Sequence, residues 1–401
     1  MELNTLHYNI KFSDFILLTI FIILPFLMGD LNLESAELLH ITPLPSFVTK
    51  AASTIRWILF VFITIYVFFH ITHITKAKGV QIIYMLCFFY VIQFIYALAS
   101  NSDIFRYLGL TIISFSLPLA IGKFYYISRC NILEKIKLIT YFLLVLNILF
   151  GFNSLNYNMR FQGFVNNPNT YGIIALFWLT ILLLPTYNTS KKKNIINNLF
   201  VFICIFTIIA TGSRAAFIGV IIILFSFFYM KGFKTTLLLV SLILIGLMIM
   251  SNFIDLPYLD RLGNIGLNNV DEARKDLWET SMYHIKNNLW FGNGMDAPIK
   301  LINTGNIHNC YLRYLLTMGL FFTLLSFLFY FIFFMKILRS LKKVPNVLIG
   351  FVFAYTVMNI VEDYYMGIGS SAFLSFLIIV GFIITYINQY YYLNLIPKKK
   401  S

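Results

Sequence analysis

The sequence predicts an all-α polytopic membrane protein of about twelve transmembrane helices, and three observations carry this reading. Hydrophobic residues make up 59% of the 401 residues and charged residues only 11%, whereas roughly a quarter of a soluble domain is charged. The apolar residues fall into runs of the length a helix needs to cross a bilayer. Lysines and arginines collect in alternate loops between those runs, as they do in chains with a fixed orientation across a membrane.

The apolar runs lie near 13–30, 52–72, 80–99, 104–122, 138–152, 170–187, 199–212, 215–230, 235–254, 310–335, 347–364 and 368–390, with 138–152 the weakest. The first has no small-residue cleavage site and reads as a spanning helix, not as a cleavable signal. Lys11, Lys76, Lys78, Lys123, Arg129, Lys135, Lys137, Lys191–Lys193, Lys231, Lys234, Lys336, Arg339, Lys342, Lys343 and Lys398–Lys400 all fall on one side of this alternation. The first loop of the other side is acidic, with Asp30, Glu34 and Glu37. Both termini are therefore expected in the cytoplasm, and residues 1–401 form a single membrane domain. The net charge of +14 is an orientation signal on this reading, and nucleic acid is excluded as a partner. No pair among Cys87, Cys130, Cys204 and Cys310 is placed for a disulfide.

The segments 153–169, 212–214 and 255–309 then face outward. The last is the one long loop, between the ninth and tenth runs, and long loops are often functional. Within it, 269–289 reads as a helix with Asn269 as its cap and Glu272 three residues later, a capping-box pattern. Ala273, Leu277, Ser281, Ile285 and Leu289 recur every four residues, so this helix is amphipathic and expected along the membrane–water interface. It ends at Phe291-Gly292-Asn293-Gly294, where two glycines permit a tight reversal.

Candidate functional residues collect on the outward side. Helices entered there present free N–H groups and partial positive charge, which favour anions. Asn167-Pro168-Asn169 supplies a cap and a first-turn proline for one such helix. Ser213 caps another, with Arg214 in its first turn, where a cation opposes the helix dipole. Arg160 lies just upstream of the Asn-Pro-Asn turn, and Arg274 lies in the first turn of the amphipathic helix. Guanidinium groups bind phosphate oxygens in pairs, so several together suit a diphosphate. Taken singly, each is equally readable as a solvated or lipid-facing arginine. His308-Asn309 stands at the mouth of the tenth run, and an imidazole there can act as a general base. Glu362-Asp363 lies at the outward end of the eleventh run, where carboxylates are costly unless paired or functional. No glycine-rich phosphate loop, zinc-spaced Cys/His set or Asp-x-Asp motif occurs. Few charges lie inside the runs, which argues against an ion-coupled transporter.

These pieces resemble a known family. Thr-Gly-Ser-Arg-Ala-Ala (211–216), Glu-Ala-Arg-Lys-Asp-Leu-Trp (272–278), Trp-Phe-Gly-Asn-Gly (290–294) and His-Asn-Cys-Tyr-Leu (308–312) with Met-Gly-Leu (318–320) resemble, in order and spacing, the O-antigen ligase/polymerase superfamily. Arg160, Gly163 and Asn167-Pro168-Asn169 resemble the segment before its corresponding earlier helix. Together the motifs span about residues 155–335. One departure is Phe321-Phe322 after Leu320, where a second glycine is often seen.

The resemblance implies a GT-C-like fold in the bacterial inner membrane, with the long loop periplasmic. It implies glycan transfer from an undecaprenyl diphosphate carrier without metal, nucleotide sugar or other cofactor. Arg214 and Arg274 would hold the diphosphate, Arg160 would be a further anion contact, and His308 would activate the acceptor hydroxyl. Asn167, Asn169, Ser213, Asn309 and Glu362 are expected to contact substrate beside them. The expected partners are lipid-linked repeat units, membrane lipids and a chain-length regulator. A polymerase of O-antigen or capsular chains is the reading taken. A ligase onto lipid A–core or protein is the close alternative, and a lipid-linked oligosaccharide flippase the more distant one.

Overall fold

The computed structural model describes residues 12–26, 46–71, 79–127, 131–156, 160–165, 167–186, 190–229, 272–303, 307–365 and 370–395. The described residues are helical, without strands. The helices are α1 (Phe12–Ile23), α2 (Ser46–Phe69), α3 (Val80–Ala99), α4 (Ile104–Ile127), α5 (Asn131–Asn156), α6 (Pro168–Leu183), α7 (Lys191–Ala210), α8 (Arg214–Tyr229), α9 (Glu272–Asn287), α10 (Ala297–Ile302), α11 (Cys310–Leu338), α12 (Asn346–Met358) and α13 (Ser371–Leu395). Each apolar run outside 235–254 falls on one of them. That run, and the start of the long loop with the Asn269 cap, lie outside the described residues.

Six helical stretches among the described residues are long and apolar enough to cross a membrane: Lys50–Phe69, Val80–Ala99, Ile104–Gly122, Lys191–Ala210, Cys310–Leu338 and Ser371–Tyr390. Shorter apolar helices, among them α6, α8 and α12, pack between them. The protein is thus a multi-pass helical bundle. Its centre is α13, apolar on every side and buried from Ala372 to Ile384, as expected of a helix without a polar face. Gly381 and Gly122 let α13 and α4 approach closely, since a Cβ at either would press on Ile121 or Ile384 of the other helix.

Two features depart from the sequence reading. The weak run at 138–152 is part of a 26-residue helix, α5. Lys137, read as a loop charge, lies inside that helix and is buried. Its ammonium donates to the carbonyls of Leu182 and Leu184, at 2.9 and 2.7 Å, so the charge meets the negative end of α6.

The second departure is in α11, which breaks at Gly319 (φ 68°, ψ −178°). The break removes the helical partners of four backbone groups, and the turn after α9 supplies replacements. Asn293 and Gly294 N–H donate to the carbonyls of Leu316 and Thr317, both at 3.0 Å. Leu320 and Phe321 N–H donate to the carbonyls of Leu289 and Trp290, at 2.7 and 3.1 Å. From α3, the Tyr96 hydroxyl lies 2.7 Å from the Phe291 carbonyl and 2.8 Å from that of Thr317. Backbone passes directly over backbone here, because a Cβ at Gly292 or Gly319 would collide with main-chain atoms of the other segment.

This joint fixes α9 alongside the first half of α11. Ile285, Ala297, Ile307, Leu312 and Leu316 form a small separate core between them, and the Trp278 indole donates to the Ile307 carbonyl at 3.0 Å. The apolar face of α9 is therefore covered partly by protein. Met282, Tyr283, Leu289, Trp290 and Phe291 are exposed.

Replacing Gly319 or Gly292 by Ala should destabilise the protein by about 3 kcal/mol, from the left-handed φ and the main-chain collision together. Gly294→Ala, whose Cβ would meet nothing nearer than 3.9 Å, should cost only about 1 kcal/mol. Thermal unfolding in detergent checks this order.

Candidate active site

Local sequence chemistry brings several helix ends to one end of the bundle. The Asn167 side chain accepts from the Asn169 N–H at 2.8 Å and caps α6, with Pro168 in its first turn. The turn from α7 to α8 is made by Thr211, Gly212 (φ 57°) and Ser213. Thr211 Oγ1 accepts from the Ser213 N–H at 3.1 Å, and Ser213 Oγ from the Ala216 N–H at 3.4 Å. Gly172 faces Ala216 without room for a Cβ, which brings the starts of α6 and α8 together. Asn309 caps α11 through the Leu312 N–H at 2.9 Å.

After α12, Asn359 turns the chain. Its amide donates to the Tyr355 carbonyl at 2.7 Å and its oxygen accepts from the Tyr364 N–H at 2.9 Å. The Cys310 N–H is shared between the carbonyls of Asn359 and Glu362, at 3.0 and 3.1 Å. The 359–364 turn is thereby fastened to the start of α11, and Glu362 is carried in among the gathered helix ends.

Glu362 is the hub of what results. Its Oε2 lies 3.2 Å from His308 Nδ1. Its Oε1 accepts from Asn169 Nδ2 at 2.9 Å and lies 3.6 Å from Arg274 Nη2. Arg160 supports Asn169 from behind: Nη2 donates to Asn169 Oδ1 at 2.7 Å and Nε to the Thr211 carbonyl at 2.7 Å. The Glu362 side chain is only 7% exposed, whereas His308 and Arg274 are 32% and 24% exposed. The carboxylate thus lies beneath two groups that open outward. His308 holds its backbone in the left-handed region (φ 55°), a strained setting for a non-glycine residue and one that concentrates at functional sites.

The sequence-predicted residues divide between this cluster and the frame around it. Arg160, Asn169, Arg274, His308 and Glu362 form one connected network. Asn167, Ser213 and Asn309 commit their side-chain oxygens to helix caps. Arg214 opens α8, three residues after the Thr211 carbonyl that takes Arg160, and is partly exposed. Sequence reasoning missed Arg313, which forms a buried ion pair with Asp363, and Tyr96. A lone cation near the start of one apolar run and the second carboxylate of Glu362-Asp363 near the end of another were the available signal for the Arg313–Asp363 pair. Nothing local marks Tyr96. Among the described residues, no group of three or more His, Cys, Asp or Glu could hold a metal ion.

A carboxylate-backed imidazole beside guanidinium groups thus lies among helix starts in a multi-pass bundle, an arrangement chemically able to move a proton next to an anion. Residues 199–327 match a protein-family model described as O-antigen ligase. This match supports the O-antigen ligase/polymerase superfamily and, in general, ligase- or polymerase-type activity. Arg214, Arg274 and His308 fall within the match, whereas Arg160, Asn169 and Glu362 come to the cluster from outside it. No curated protein matches the chain.

Arg160→Ala should cost about 1–3 kcal/mol, since it leaves the Thr211 and Asn169 acceptors without their donor. Arg160→Lys should recover only part of this, because an ammonium lacks the guanidinium fork. Unfolding midpoints of the two variants test it.

Proposed function

We propose that this protein is a metal-independent glycosyltransferase that polymerises O-antigen or a related capsular chain at the periplasmic face of the bacterial inner membrane. The donor is a glycan on undecaprenyl diphosphate, and the acceptor is the non-reducing end of the next lipid-linked repeat unit. The observation that carries this reading is Glu362 contacting both His308 and Arg274 at a cluster of helix starts.

The chemistry follows from that geometry. With Nδ1–H donating to Glu362, the His308 Nε2 carries the basic lone pair. It takes the proton of the acceptor hydroxyl as that oxygen attacks the anomeric carbon of the donor. The bond from this carbon to the diphosphate oxygen breaks, and the diphosphate leaves with the electron pair. Arg274 and Arg214 stabilise the charge developing on it, while Glu362 stabilises the imidazolium. Arg160 and Arg274 against the Glu362 carboxylate give the cluster a surplus of positive charge, and Arg214 opens α8 nearby in the chain, which suits a diphosphate. The inward-facing lysine-rich loops support the same orientation.

Ligation of a finished chain to lipid A–core is the second reading, favoured by the match to a family described as O-antigen ligase. Surface polysaccharide from a deletion strain, resolved by size, distinguishes the two. A polymerase leaves single repeat units on lipid A–core and removes the ladder. A ligase leaves long chains on the lipid carrier and none on lipid A–core. An unchanged pattern overturns both. Complementation with His308→Ala should fall at least about 100-fold short in transfer rate, the usual scale for losing a general base, while the protein still reaches the membrane.

A further inference from the structure

We propose that Arg313 and Asp363 are positioning residues for the transfer reaction, their buried ion pair setting the register in which Glu362 meets His308. The inference rests on the reading of this site as a glycosyltransferase centre. His308 lies just before α11 and Glu362 just after α12, and several links join the two segments. The Cys310 N–H bridges to the carbonyls of Asn359 and Glu362. The Tyr311 hydroxyl donates to the Thr356 carbonyl at 2.9 Å. The Arg313 guanidinium pairs with the Asp363 carboxylate, with side chains 9% and 1% exposed.

The first two links end on carbonyls, and neither engages a carboxylate of the 359–364 turn. Glu362 and Asp363 are adjacent carboxylates that differ in reach by one methylene. The ion pair distinguishes them. Asp363 is drawn to a cation one helical turn along α11 from Asn309, so its neighbour Glu362 is left to face His308, Asn169 and Arg274. A buried ion pair adds little net stability over a well-packed apolar pair, and its best-attested use is to select one register. Arg313 also follows directly from the helix start, its N–H donating to the Asn309 carbonyl at 3.0 Å. The device that orients the carboxylate and the cap that follows His308 are therefore one unit.

The test compares Arg313→Met/Asp363→Leu and Arg313→Lys, each made in the wild type and in a Glu362→Gln background, with purified protein and a lipid-diphosphate-linked oligosaccharide donor. The expected result is a folded protein with kcat lowered at least tenfold, KM for the donor within threefold of wild type, and a smaller loss in the Lys variant. In the Glu362→Gln background the further loss should disappear, since there is no longer a carboxylate to aim. A folded variant with kcat within twofold of wild type overturns the proposal. So do losses that multiply independently of Glu362→Gln, or failure of both variants to fold, which would make the pair a requirement of folding. If the wild-type protein itself transfers no glycan, it is the reading of the site as a glycosyltransferase that fails.

Discussion

The Glu362 carboxylate, buried at the end of the bundle, constrains everything around it. An ionised carboxylate withdrawn from water needs partners on each oxygen, and leaving one uncompensated costs several kcal/mol. Its partners come from α6 (Asn169), α9 (Arg274) and the segment before α11 (His308), which are remote from one another in the sequence. Satisfying this one group therefore requires that these elements be brought to a common point. Arg160 extends the constraint to the end of α7 by way of Thr211. The same contacts that neutralise the carboxylate assemble the residues proposed to act on substrate.

Much of the fold was legible because hydrophobic runs of spanning length leave few alternatives. The runs at 80–99 and 310–335 coincide almost residue for residue with α3 and α11. The glycines at 292 and 294 do take positive φ, as their place after an amphipathic stretch implied. What one-dimensional reading lost was polarity inside helices. Lys137 looked like a loop residue because a lysine in a span is expensive, yet two carbonyls at the end of α6 hold it. The break at Gly319 was invisible for a related reason. An isolated glycine in an apolar run costs little, and its meaning appears only when another segment arrives to use the exposed backbone.

The candidate site shows the same division. Arg160, Asn169, Arg274 and His308 were recognisable from residue type and motif, and Glu362 from its cost at membrane depth. Their connectivity was not, since a sequence does not say which arginine faces which carboxylate. The expectation that Asn167, Ser213 and Asn309 touch substrate competes with an equally strong local role. Each is a short polar side chain at a helix start, and each caps that helix in the structure.

The exchange of hydrogen bonds at Gly319 bears on how the chain is built. Four main-chain groups of α11 find partners in residues 289–294, and Tyr96 of α3 closes the joint from nearly two hundred residues away. Unpaired backbone groups are intolerable in lipid, so α11 must enter the bilayer as an unbroken helix or enter with the 289–294 turn already docked. In the first case maturation includes an opening of the helix as the turn displaces its own hydrogen bonds. In the second, the turn travels with α11 as a single insertion unit. Either route ties the seating of Arg274 to the completion of this joint.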